Sequence, residues 1–423
     1  MKVVFVQPKA CAFAEGHLWE PTNFGYLISY AKKFHPGNDY IVRSAKFFND
    51  KEILNECKDA DLVCFTATSP QIYHAEDLSK KIKAPKVFGG VHPTIDPQDA
   101  FNRGADIVVR GEGELAFKKI LDNPERALHQ KVFKEPFIKN LDTLPFPDRK
   151  AIQQEKYLQL TLQNDGVKIA SINSSRGCPY NCTFCTSKAI WGRKARFRSA
   201  ENVVEELGEL VDLGIEHLKF SDDTFTLNKK RVYKFCEIKN AKGLDVPWSA
   251  NARVNTLDYN VLKAMKEAGC MELWLGVESG SQKVLDALKK GITKDQVRSA
   301  FRASRKLGIR TRGYFMIGNE TETRKDIKKT EKFIEELDPD IVGISINTPF
   351  PGSERYKKKG LTGIDWRKVD LYDDVEGVGK KVWGNEYLSG SELREIQQEL
   401  LQKFSDKLIA RFRQKDYNMD VKE

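Results

Sequence analysis

Short apolar runs alternate with amphipathic stretches along most of the chain. In the first third the apolar runs fall at residues 3–6, 40–43, 62–66, 86–88 and 107–109. Stretches of helical periodicity lie between them at 26–32, 51–59 and 74–83. Strands separated by helices predict an α/β fold with a doubly wound parallel sheet. Ligands of such a sheet lie beyond the carboxyl ends of its strands. Residues 133–150 follow as a connection, and the two prolines of Leu-Pro-Phe-Pro at 144–147 oppose helix there. The rhythm then resumes. Strands are expected at 168–173, 217–220, 248–250, 272–276, 313–317 and 341–345. Helices are expected at 200–213, 229–242, 257–268, 295–307 and 323–337, the first with Ser199 as its N-cap. Six strand–helix units predict a partial (β/α)6 barrel, open on one side, with its site at the carboxyl rim. A mixed tail follows, with an amphipathic helix expected at 391–412. The expected division is a first domain at 1–132, a linker at 133–165, the partial barrel at 166–355 and a mostly helical extension at 356–423.

The 423 residues suffice for two or three domains, and 40% hydrophobic with 31% charged residues suits a soluble globular protein. No apolar run has the length of a membrane span. The first residues, Met-Lys-Val-Val-Phe-Val, are too short in apolar character for a signal peptide and read as a strand, so a cytoplasmic protein is expected. The net charge of +10 includes basic runs at 193–198 and 355–359. Both are short and unpatterned, which favours a solvated surface and argues against a nucleic-acid partner. Cys11, Cys57, Cys64, Cys236 and Cys270 are scattered and form no disulfide framework, so they are expected as reduced thiols.

The remaining three cysteines change the picture. Cys178, Cys182 and Cys185 stand at C-x-x-x-C-x-x-C within Ser175-Arg-Gly-Cys-Pro-Tyr-Asn-Cys-Thr-Phe-Cys-Thr186, directly after a strand. A structural zinc would need a fourth ligand, and His129, His217 and Cys236 lie at no ligand spacing. A [4Fe–4S] cluster that only carries electrons is held by four cysteines. Three leave one iron open for chemistry.

The spacing resembles the signature loop of the radical S-adenosylmethionine (SAM) enzymes. That resemblance implies a [4Fe–4S] cluster on Cys178, Cys182 and Cys185, with SAM chelated to the open iron and cleaved to a 5′-deoxyadenosyl radical. It also assigns SAM contacts along the rim. Phe184, between the second and third cysteines, would pack near the adenine. Asp222 and Asp223, in Phe-Ser-Asp-Asp-Thr-Phe, would take the methionine amino group or a ribose hydroxyl. Glu278, in Gly-Val-Glu-Ser-Gly-Ser, would contact SAM. Lys290 would meet its carboxylate, with Lys289 an equal local candidate. Gly318 ends the strand that lies against the adenine.

Gly-Gly-Val-His-Pro-Thr at 89–94, then Arg-Gly-Glu-Gly-Glu at 110–114, then Leu-Pro-Phe-Pro-Asp at 144–148, then the cysteine loop is similar in order to the cobalamin-dependent radical SAM enzymes. The resemblance implies a corrinoid at the carboxyl edge of the first sheet, near Gly25, Thr66, Gly89, Gly90 and His92. The chain has no D-x-H-x-x-G motif, and a structural role for His92 competes with cobalt ligation. The implied reaction is methyl transfer to an unactivated carbon, with flavodoxin or ferredoxin as electron donor and a small molecule as substrate. Other readings are a methylthiotransferase, a radical SAM cyclase or oxidative enzyme, and a non-catalytic corrinoid or iron–sulfur protein.

Overall fold

A computed structural model describes residues 1–10, 20–369 and 381–408. The chain divides into two compact units. The first takes residues 1–155, 189–192 and 351–369; the second takes 156–188, 193–350 and 370–423. Most of the expected linker therefore packs with the first unit, and the chain returns to that unit after the barrel. Cys11 and residues 409–412 of the expected last helix lie outside the described residues.

The first unit holds a six-stranded sheet: β1 Lys2–Gln7, β2 Asp39–Ser44, β3 Leu62–Thr66, β4 Lys86–Gly89, β5 Ile107–Val109 and β6 Val132–Phe133. Its order is β2-β1-β3-β4-β5-β6, with every pairing parallel. The order reverses at β1, so the carboxyl ends of β1 and β3 form the switch point where such sheets bind ligands. β1 and β3 are apolar on both faces because helices cover both sides. Phe5, Phe24, Ile28 and Phe117 fill the core beneath the first helix, Thr22–Lys32.

The second unit carries β7 Ile169–Ile172, then a short antiparallel pair, β8 Ser175–Arg176 with β9 Arg196–Phe197. β10 His217–Phe220, β11 Trp248–Ala252, β12 Cys270–Glu278, β13 Arg310–Ile317 and β14 Ile341–Ile346 follow. The parallel order β14-β13-β12-β11-β10-β7 is sequential, which is that of an opened barrel. All six expected strands are present. Leu218, Leu273, Leu275, Phe315 and Ile344 face the surrounding helices in the main core. The helix Gly390–Lys403 starts at a Ser389 capping box and lays Leu393, Ile396 and Leu400 into the same core. Sequence periodicity missed the helix Gln154–Asp165 and the β8–β9 pair. The helix has weak amphipathic character, and the strands have only two residues each.

Candidate active site

The cysteine loop leaves the carboxyl end of β7 and is anchored by buried polar contacts. Asp222, at the end of β10, is 1% exposed. Its carboxylate accepts hydrogen bonds from the Ser174 N–H at 2.7 Å, the Ser174 Oγ–H at 2.6 Å and the Ser175 Oγ–H at 2.5 Å. Arg231 approaches to 3.7 Å and donates to Ser174 Oγ at 2.7 Å. Asp222 is thus committed to holding the root of the loop. From the sequence it is expected to contact SAM; here both oxygens take hydrogen bonds from the loop root, and the side chain is buried.

Asp223 behaves differently. It accepts from Ser187 Oγ at 2.8 Å, and after burial its charge helps raise the pKa values of Cys178 and Cys185. Solvent reaches the residue, but packing around the carboxyl group itself desolvates it and pushes its pKa up. Burial likewise pushes the Cys185 thiol up to about 11 and the Cys178 thiol up from its usual value.

Cys178, Cys182 and Cys185 all sit on this loop, and Cys182 is 7% exposed. Cys185 feels both other thiols electrostatically. Among the described residues no three His, Cys, Asp or Glu side chains converge tightly enough to ligate one metal ion. A wider set of three thiols in one another's field fits a multi-iron cluster by the chemistry of its donors. Ligation by a cation deprotonates such thiols outright.

The opposite wall comes from β12 and the turn after it. Glu278 ends β12 with a positive φ of 69°, directly after a register shift against β13 between Gly276 and Glu278. The Lys290 Nζ donates to Glu278 Oε1 at 2.6 Å and lies 5.8 Å from the Phe184 ring centroid. The rim therefore selects Lys290 over Lys289 for this pairing. Phe184 packs with Val284, Leu288 and Met316. The Thr183 N–H donates to the Leu288 carbonyl at 3.0 Å, which fixes the loop to that wall. Gly318 has φ +77°, and a Cβ there would meet Leu393 at 2.8 Å, so it backs onto the last helix.

Two residues that sequence reasoning missed complete the site. Gly276 leaves room for the ion pair: a Cβ there would lie 2.6 Å from Glu278 Oε1 and 2.8 Å from Lys290 Nζ. Arg253, the residue after β11, donates to Cys182 Sγ at 3.6 Å and to the Lys290 carbonyl. The glycine had a signal in its place two residues before Glu278, on the same face of the strand. Arg253 had none, since its partners are distant in sequence.

In the first unit, Thr66, Gly89 and Gly90 meet at the carboxyl edge of the sheet. The Ala67 N–H donates to the Gly89 carbonyl at 3.0 Å, and Gly90 (φ +93°) approaches so closely that a Cβ would meet Thr66 Oγ1 at 2.8 Å. Two residues expected near the corrinoid are held by the protein itself. His92 is 3% exposed, and both its ring nitrogens have partners, Ser69 Oγ at 3.0 Å and Asp99 Oδ2 at 2.8 Å. Neither nitrogen is left for cobalt. Burial opposes ionisation of Asp99, but hydrogen bonds from His92 and Arg103 prevail and hold it at about 2. Gly25 is a packing residue: a Cβ would lie 2.7 Å from Pro147 Cβ, and the Asp148 N–H donates to its carbonyl at 3.1 Å.

Comparisons with known proteins agree with this architecture. The Radical SAM superfamily model matches residues 172–334, and the B12 binding domain model matches 35–121. The chain is 35% identical to an uncharacterized methyltransferase of Pyrococcus horikoshii over 89% of this chain and 87% of the relative. It is 29% identical to the anaerobic magnesium-protoporphyrin IX monomethyl ester cyclase of Cereibacter sphaeroides, spanning 83% of this chain and 62% of that relative. The fold matches the cobalamin-dependent S-adenosylmethionine radical enzyme OxsB with a TM-score of 0.73 at 17% identity, over 96% of this chain and 67% of that one. No helix among the described residues is long and apolar enough to cross a membrane. The chain belongs to the radical SAM superfamily, in the group that joins a B12 binding domain to the radical SAM domain, and its cofactors are a [4Fe–4S] cluster, SAM and cobalamin.

Proposed function

We propose that the protein transfers a methyl group to an unactivated carbon of a small molecule, with Cys178, Cys182 and Cys185 as the cluster ligands. The observation that carries this reading is the meeting of the cysteine loop, Asp223, Phe184 and the Lys290–Glu278 pair at the carboxyl ends of the barrel strands. When bound, the cluster supplies the electron that cleaves SAM, and the corrinoid carries the methyl group.

The chain's own groups do the placing. Asp223 accepts a hydrogen bond from the SAM amino group, a charge-assisted contact. Lys290 presents its ammonium to the SAM carboxylate while Glu278 holds that ammonium in position. Phe184 offers an apolar face to the adenine, and the Gly318 backbone lies along its edge. In the first unit, Thr66, Gly89 and Gly90 would shape the edge that receives the corrinoid. The P. horikoshii relative's name supports methyl transfer over the other readings. A flavodoxin or ferredoxin in the cytoplasm is the electron donor.

The test is anaerobic turnover of the reconstituted holoenzyme with dithionite, cobalamin and SAM carrying a deuterated methyl group. Methyl transfer yields 5′-deoxyadenosine and S-adenosylhomocysteine together. Deoxyadenosine alone would favour a cyclase or oxidative reaction, which the C. sphaeroides relative exemplifies. Neither product would leave a binding protein.

A further inference from the structure

We infer that Arg253 sets the reduction potential of the cluster, acting as a positioning residue through Cys182; the inference rests on the three cysteines being the cluster ligands. Arg253 is 6% exposed. Burying a guanidinium costs several kcal/mol unless an anion or a full set of acceptors compensates it. Among the described residues no carboxylate forms an ion pair with Arg253. Two of its contacts, with Cys182 and Tyr180, are with the cysteine loop instead. Nη1 points at Cys182 Sγ, 3.6 Å away. Nη2 donates to the Lys290 carbonyl, and Nε to Asn255 Oδ1 at 3.3 Å. Its guanidinium lies 3.6 Å from the centroid of the Tyr180 ring, which belongs to the same loop. The side chain is held on its face and at all three nitrogens, so its direction is fixed before any metal arrives.

A thiolate-bound cluster is the anion this arrangement lacks. Hydrogen bonds to the sulfurs and local charge are the protein's main controls over cluster potential. Reduction adds one negative charge to the cluster. A fixed N–H donor and a buried positive charge stabilise the reduced state more than the oxidised one, so Arg253 raises the potential. The same residue joins Cys182 to the Lys290 backbone. It thereby couples the electronic setting of the cluster to the segment that carries the Lys290 ammonium.

The experiment is an EPR-monitored redox titration of the reconstituted full chain, with iron and sulfide analysis of each sample. The variants are Arg253→Met, which removes charge and donors, and Arg253→Lys, which keeps the charge but spans only one acceptor. With iron content at the wild-type level, the Met variant should show a reduction equilibrium at least tenfold less favourable, a shift of about 59 mV to lower potential for one electron. The Lys variant should fall between. An unchanged potential in a fully loaded Met variant overturns the inference. So does loss of iron from both variants while the fold persists by circular dichroism, since Arg253 would then be a structural latch only. Absence of iron from the wild type is a different result: it overturns the assignment of the three cysteines and leaves no cluster for Arg253 to tune.

Discussion

Lys290 reaches back twelve positions to place its Nζ 2.6 Å from Glu278 Oε1, and both side chains are nearly buried, at 7% and 11% exposure. The pair depends on an unusual backbone. Glu278 has a positive φ, which costs a non-glycine residue of order 1–3 kcal/mol and persists only where the surroundings enforce it. Strain of this kind collects at ligand sites. Breaking such a pair from one side leaves an uncompensated buried charge.

Lys290→Met should therefore destabilise the second unit by about 3–5 kcal/mol in chemical unfolding. The double variant Glu278→Gln/Lys290→Met should recover most of that loss, because no bare charge remains. Both should weaken SAM binding. A double variant no more stable than the single one would show that the two residues do not compensate each other.

Adjacent aspartates should give different phenotypes. Asp222→Asn replaces an acceptor-only carboxylate that serves Ser174 and Ser175 beside Arg231, and should lower the unfolding midpoint and the yield of loaded protein. Asp223→Asn should spare the fold and lower SAM affinity. Equilibrium unfolding and SAM binding, measured on both variants, check the separation; the reverse pattern would return Asp222 to the ligand site.

Glu322 gives stability a pH dependence. Its side chain is fully buried, and Oε2 accepts from the Asn319 N–H at 3.1 Å and Nδ2 at 3.2 Å, while Oε1 finds no partner among the described residues. Burial pushes its pKa from 4.5 up to about 7. Between those values the folded chain keeps a proton that the unfolded chain has released. Glu322 therefore makes stability fall as pH rises through this window, and the full penalty remains above it. Glu322→Gln should flatten the Tm profile between about pH 4.5 and 7. An identical slope in wild type and variant would place the titration elsewhere.

His92→Gln should keep corrinoid binding and an unchanged cobalt spectrum, because the ring is already bound to Ser69 and Asp99. Loss of nitrogen hyperfine structure from cob(II)alamin in the variant would identify His92 as an axial ligand.

The strands and the cysteine loop were legible because both are local signals. Apolar runs mark β1, β3 and β14 wherever they pack, and C-x-x-x-C-x-x-C is a pattern within eight residues. Lys290 and Glu278 were placed through family resemblance, but their pairing depends on the register shift in β12 and on the absence of a Cβ at Gly276. Asp222 and Asp223 look equivalent in sequence. Only the fold of the segment after β10 commits Asp222 to Ser174 and Ser175 and Asp223 to Ser187 beside the cysteines. The packing of Gly25 against Pro147, more than a hundred residues on, had no signal in the sequence. Arg253 was invisible for the same reason: Cys182 and Lys290 approach it only when the barrel forms.

The most direct test of the open-iron site is EPR of the anaerobically reconstituted, dithionite-reduced chain before and after SAM is added. The account predicts about four irons per chain, a [4Fe–4S]⁺ signal that SAM changes, and loss of that signal in Cys182→Ala. Zinc in place of iron, or a cluster signal that SAM leaves unaltered, would contradict it.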